Sequence, residues 1–255
     1  MAGGKTEIIK LELRAKTAHF RIYSNQNFCD SYPLPPPSTI LGILQEVLGI
    51  RPPEPLILAI KGSFESIFFD YRTFLEKPLE LDLPKRREQN KEHRFWIEKL
   101  VHRSVTTKPL FIKVLYNPSY SIYLYSPSHH LSYLNKLKEP ERFISLGRSE
   151  DLAMMKVSAV EVEKKRADKL DKIKIENSYL PVKVYGAVSI FLPICHLNQD
   201  RNLRMEMCYY VKEAISYYEG EYWQVKGDKD NFVWLVNYED TEKGNLPKLY
   251  HLNGR

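Results

Sequence analysis

The chain has 255 residues, enough for one large domain or two small ones with a real hydrophobic core. Its balance of 38 basic against 32 acidic side chains leaves a formal charge of +6, which favours a phosphate-rich partner such as nucleic acid. Three cysteines without a CxxC pair weigh against a disulfide framework and a structural zinc site, so a reducing, cytoplasmic setting is expected. The longest apolar run, Ala187 to Leu197, is broken by Pro193 and is too short to span a bilayer, and no signal peptide precedes it.

In chain order the first element is an alternating strand. Ile9, Leu11 and Leu13 point one way and Lys10, Glu12 and Arg14 the other. A polar, aromatic loop follows, with His19, Phe20, Arg21, Tyr23, Asn25, Asn27 and Tyr32, stiffened by Pro33, Pro35, Pro36 and Pro37. A helix is predicted from Ser38 or Thr39, either of which can cap it, with Ile40, Leu41, Leu44, Val47 and Leu48 as its apolar stripe and Gly49 as its end. Gly42 inside that helix predicts close packing against it.

Leu56 to Lys61 and Phe64 to Phe74 read as strands. From Glu76 to Lys108 the chain turns polar and basic, and a long arm or hairpin is predicted. Phe111 to Leu115 is a strand, and Asn117-Pro118-Ser119 turns it back into a partner at Tyr120 to Tyr125. A short helix capped by Ser126 or Ser128 should end before Pro140. A glycine turn at Gly147 leads to a strand from Met155 to Glu163. The mixed-charge stretch from Glu161 to Asn177 reads as a solvated loop or short helix, Val182–Leu192 and Phe232–Tyr238 as strands, and Met205–Tyr218 as a strand or a helix. With the arm set aside, residues 7–163 run β–α–β–β–α–β. That predicts an α+β, ferredoxin-like (RRM-like) sheet with two helices on one face and a second face free for RNA. The expected division is a domain over 1–160, carrying a basic arm at about 76–108, and a β-rich region over 161–255 packed on it.

Three sets of residues carry chemistry, each with a plainer alternative. Lys85, Arg86, Arg87, Arg94, Arg103 and Lys108 on the arm can track a phosphate backbone, with Phe95 or Trp96 stacking on a base; the alternative is a solvated hairpin, since Glu88, Glu92 and Glu98 offset part of the charge. Arg21, Asn25 and Asn27 can meet phosphate and base edges, although Tyr32 or Phe28 in the same loop can simply fill core. Gly147 can bring backbone amides near a phosphate, with Arg148 adding charge; a tight turn explains the glycine equally well. His19, His93 and His102, helped by Tyr23 or Lys108, are the candidates for metal-free RNA cleavage, but no spacing pairs them, and surface or structural histidine is the plainer role. There is no Walker loop, no GxGxxG and no HExxH, and His129-His130 is not a metal motif, so no metal or cofactor is expected.

Two segments stand out together. AHFR at Ala18 to Arg21 leads into SYPLPPPSTILGILQEVLG at Ser31 to Gly49, and SLGRSEDL follows at Ser145 to Leu152. In content, order and spacing the pair resembles the CRISPR-associated Cas-five family, the members of the RAMP superfamily that bind the 5′ handle of CRISPR RNA. The resemblance covers about residues 7–155, and its details are closest to the type I-B-like variant. It implies a ferredoxin-like domain with a thumb-like insertion where the basic arm stands. It also implies a non-catalytic role in the type I surveillance complex (Cascade), supporting defence against foreign DNA. The partners it implies are the CRISPR RNA handle, the large subunit and the backbone subunit, with target DNA met only through the complex. One subtype instead cuts repeat RNA without metal, using a Tyr, Lys and His set. At the end of the arm this chain has Val101-His102-Arg103, with no Lys-His pair. The residues expected on RNA are therefore Arg21, Asn25, Asn27, Lys85, Arg86, Arg87, Arg94, His102, Arg103, Lys108 and Arg148.

Overall fold

A computed structural model of the chain describes residues 5–22, 28–49, 57–75, 107–126, 129–167, 172–196, 203–217, 220–228, 232–237 and 248–249. β1 (Lys5–Ala15) is followed by two short strands, β2 (Thr17–Ala18) and β3 (Phe28–Cys29), and by α1 (Pro37–Leu48). Next come β4 (Ile57–Ser63), β5 (Ser66–Leu75), β6 (Thr107–Tyr116), β7 (Ser119–Tyr125) and α2 (His130–Lys138). The remainder is strand: β8 (Ile144–Ser145), β9 (Leu152–Ala167), β10 (Lys172–Leu180), β11 (Val188–His196), β12 (Leu203–Tyr217), β13 (Gly220–Val225), β14 (Phe232–Val233), β15 (Val236–Asn237) and β16 (Lys248–Leu249).

The main sheet runs β11-β12-β10-β4-β7-β1-β9-β13-β14. β1 lies between β7 and β9, antiparallel to both, with Leu11 opposite Ile122 on one side and Val157 on the other. The alternation in β1 sets the layers. Ile9, Leu11 and Leu13 are fully buried and share one core cluster with Ile40, Leu41 and Leu44 of α1 and Leu134 and Leu137 of α2. Both helices therefore cover the same face, and each fully buried Leu or Ile there contributes about 1.5–3 kcal/mol. The architecture is α+β and dominated by its sheet.

The other face is not bare. Ile8, Ala59 and Tyr123 are buried there with Trp223, Val233 and Leu235. The C-terminal strands thus close part of the face expected to be free. Cys29 and Cys208 carry free, buried thiols, and burial pushes that of Cys208 up to about 12.

Several local expectations need correction. The turn after β6 does not return it to β7 as a partner. β7 pairs with β1 and β4, whereas β6 pairs with β5, β2 and β3 in a second, four-stranded sheet. Asn117 and Pro118 therefore carry the chain from one sheet to another. Glu161 to Asn177 is neither loop nor helix where it is described. β9 continues to Ala167, and β10 begins at Lys172 and pairs with β12. Ile173 and Ile175 are buried there between exposed charged neighbours, which hid the period of two.

Capping also differs from expectation. α1 starts at Pro37, and no side chain caps it; the amides of Thr39 and Ile40 bond to the Pro36 carbonyl instead. Proline at the first position gives up an N–H that the helix does not need. Gly49 closes the helix at φ 72°, its N–H donating to Gln45 O at 3.0 Å. At α2, the Ser126 hydroxyl accepts the His129 N–H at 3.2 Å, just ahead of the helix. The basic arm at 76–108 lies outside the described residues, apart from the backbone of Thr107 and Lys108 at the start of β6. Its root is clear, because β5 and β6 form a long antiparallel ribbon that leads to it.

Candidate nucleic-acid interface

The two sequence segments singled out above meet in space. The first loop is stitched to itself at its base. Tyr32 N–H donates to Phe20 O at 2.8 Å and Ile22 N–H to Asp30 O at 2.9 Å. Ser31 Oγ accepts the Phe20 N–H at 2.9 Å and donates to Tyr32 O at 3.0 Å. Tyr32 itself is core, its hydroxyl donating to Phe191 O at 2.7 Å. Phe28 packs against Phe69 of the ribbon, ring centroids 5.6 Å apart and planes tilted by 51°.

The glycine turn lies directly against this loop. His19 N–H donates to Leu146 O at 3.4 Å, and Gly147 holds φ at 96°. A Cβ on Gly147 would stand 1.8 Å from the His19 carbonyl oxygen, so only glycine fits both the backbone angle and the space.

Charged side chains then brace the turn to the ribbon. Arg148 grips Asp151 with two bonds, from Nε to Oδ2 and from Nη2 to Oδ1, both 2.7 Å. Its Nη1 reaches Asp70 Oδ2 on β5 at 3.2 Å. Arg72, also on β5, pairs with Asp70 at 2.8 Å and Glu150 at 2.7 Å. The Asp151 carboxylate is fully buried and accepts the Thr17 hydroxyl at 2.5 Å as well. A bidentate arginine and a buried carboxylate give this junction a fixed geometry.

A cleft of about 800 Å³ opens between the first loop, α1, the Gly147 turn and the root of β6. His19 lines it, almost wholly buried at 6% exposure. Its Nδ1 lies 2.8 Å from Lys113 O. A carbonyl only accepts, so Nδ1 carries the hydrogen, and in the neutral ring Nε2 is an acceptor. Burial lowers the pKa of His19, the Arg148 and Arg21 charges add to that, and the bond to Lys113 opposes it. The ring is neutral near pH 7.

Of the residues expected on RNA, the structure brings Arg21 and Arg148 to this one cleft. Arg21 is exposed, while Arg148 is tied into the brace and holds the turn from behind. Asn25, Asn27, Lys85, Arg86, Arg87, Arg94, His102 and Arg103 lie outside the described residues, as does the side chain of Lys108. Sequence reasoning missed Phe143, 89% exposed at the cleft, and the outward face of the ribbon, where Phe69, Tyr71 and Phe111 are exposed. The alternation of Phe69 and Tyr71 with Asp70 and Arg72 was the available signal for that ribbon face; Phe143 had none. The packing expected at Gly42 is also absent. Among the described residues a Cβ there would meet nothing within 4 Å outside the helix's own backbone, and the residue faces the cleft.

The sequence profile of a CRISPR-associated protein family (Cas_Cas5) matches residues 8–182. The chain belongs to this family. Every lining residue of the cleft except Pro193 falls within the matched span of this CRISPR-associated chain. Among solved structures, the chain is similar to one in a CRISPR RNA-guided surveillance complex, at 12% identity over 83% of this chain and 91% of that one, with a TM-score of 0.46. It is similar to a CRISPR protein from Archaeoglobus fulgidus at 12% identity, over 89% and 98% of the two chains, with a TM-score of 0.45. A third similar chain, 14% identical over 82% and 86% with a TM-score of 0.40, belongs to the Type III-B Cmr-beta complex bound to cognate target RNA. No curated protein matches. Among the described residues no group of His, Cys, Asp and Glu is placed to hold a metal ion, and no helix is long and apolar enough to cross a membrane.

Proposed function

We propose that this chain is a non-catalytic, RNA-binding subunit of a CRISPR effector complex that holds the 5′ handle of the guide RNA and caps the backbone filament. In this reading β4-β7-β1-β9 with α1 and α2 is a ferredoxin-like unit, and the β5–β6 ribbon is the root of its thumb. The observation that carries the proposal is the meeting of the first loop and the Gly147 turn in one cleft at the foot of a ribbon whose sequence continues into the basic arm. Family membership adds the CRISPR context. Arg21 stands at the cleft, and the arm's lysines and arginines supply the charge that tracks a backbone. The brace around Arg148 then orients the ribbon over the site. The large subunit and the first backbone subunit are the partners that this reading assigns.

The test is a titration of the full-length chain, in EDTA, with an RNA carrying the repeat-derived 5′ handle, in competition with an unrelated RNA of equal length. Preferential binding with the handle RNA recovered intact is the expected result. Equal affinity for the two RNAs would sink handle recognition. Cleavage at one position would reassign the chain as a metal-independent endoribonuclease.

A further inference from the structure

Gly42 sits in the interior of α1, where glycine is the least favoured residue after proline. Its backbone is helical, so no special φ calls for glycine. Among the described residues nothing outside the helix's own backbone comes within 4 Å of where its Cβ would be, so internal packing does not call for it either. What the missing side chain leaves is open space on the cleft wall.

Across the cleft is His19. With Nδ1 donating to the Lys113 carbonyl, its remaining polar atom is Nε2, which has no hydrogen-bond partner among the described residues. A neutral imidazole nitrogen in this state accepts a hydrogen bond and cannot donate one. Phe143 lines the same cleft, next to Arg142, which pairs with Glu46 of α1 at 2.7 Å. Its ring is 89% exposed and offers a stacking face. The Ser38 and Thr39 hydroxyls line the cleft from the first turn of α1.

These features select a class of occupant. A phosphate has only acceptors for the Nε2 lone pair to face; Arg21, exposed and lining the cleft, can meet the backbone phosphate of the same nucleotide, whereas the half-buried Arg148 is already matched by Asp151, Asp70 and Glu150. An aliphatic side chain would leave Nε2 unanswered. A nucleobase brings an N–H edge for Nε2 and a π face for Phe143 together. A volume of about 800 Å³ holds a base with its ribose.

We propose that the cleft takes one unstacked nucleobase of the bound RNA, inserted against the open wall at Gly42 and read through an N–H donated to His19 Nε2. This inference rests on the RNA-binding reading above.

The experiment uses the full-length chain and a series of synthetic handle RNAs, each with one nucleotide replaced by an abasic residue. Binding is measured for the wild type and for Gly42→Trp, whose indole fills the cleft from an exposed position that touches no core. Circular dichroism and thermal melting confirm that the variant folds, and His19→Asn provides a second variant that alters the reader without plugging the space. The expected result is one abasic position that weakens wild-type binding about tenfold. Gly42→Trp should weaken binding of intact RNA by a similar factor and show no further loss with that abasic RNA. If the wild type binds handle RNA and no abasic position matters, the base pocket is overturned while RNA binding stands. If the Gly42→Trp and abasic losses multiply, the base sits elsewhere and the pocket is likewise overturned. If Gly42→Trp leaves RNA binding intact but abolishes binding of a partner subunit, the cleft is a protein-docking site. If the wild type binds no RNA, both readings fall together.

Discussion

His19 shows how one residue is tuned by its surroundings. Its ring is fixed by the Lys113 carbonyl, and burial, with the Arg148 and Arg21 charges, holds its folded-state pKa below the ordinary value of 6.5. The consequence for stability has a definite sign. As pH falls through about 6.5 the unfolded chain takes up a proton that the folded chain refuses, so stability is lost on acidification below that point and present above it. Urea midpoints should therefore decline from about pH 6.5 to about pH 5.5, above the range where carboxylates titrate. His19→Asn should flatten that decline, and an unchanged slope would remove His19 as its source. Arg148 makes a related point. A basic residue at the tip of a glycine turn looks available for phosphate, yet the carboxylates of Asp151, Asp70 and Glu150 claim it. Sequence displays the charge and not its partners, because Asp70 lies far away along the chain.

At the scale of elements, α1 was the most legible piece. The apolar stripe of α1 is buried as its spacing predicts, since 3.6-residue periodicity leaves little choice of face. Its start was misjudged, because Ser38 and Thr39 look like caps while Pro37 already occupies the first position. Gly42 was misjudged more instructively. A helix-interior glycine implies that something needs the room, and the sequence cannot say whether that is a neighbouring strand or empty space. With nothing within 4 Å, Gly42→Ala should gain up to about 1 kcal/mol, read as a melting temperature higher by about 2–4 °C. A lower melting temperature would show that the helix is packed there after all. β10 was misread for the opposite reason. Lys174 and Glu176, which alternate with Ile173 and Ile175, look solvated, and they are, but on a strand that buries the two isoleucines.

For the whole molecule, the distribution of charge matters more than its total. The described residues hold acidic partners for many of their basic groups, as at Arg148 in the Gly147 turn and Arg72 and Lys113 on the ribbon. The basic excess of the arm sequence is therefore the main reserve for phosphate. Neutralising Arg86, Arg87 and Arg94 together should weaken handle RNA binding and reduce the slope of log affinity against log salt by about 2, at roughly 0.7 per phosphate contact on a single strand. An unchanged slope would exclude those three side chains from backbone contact.

Periodicity, proline and glycine placement and the two motif segments determined by themselves the order of the longer elements from β1 to β9 and the family. Those signals are local, set by which residues can share a face or adopt a turn. Tertiary structure decided that β6 deserts β7 for β5, that the C-terminal strands extend β4 and cover part of the open face, and that Gly42, His19 and Phe143 enclose one cleft. These depend on contacts between residues far apart in the chain. No spacing rule reaches them, because pairing partners and empty space are properties of the packed whole.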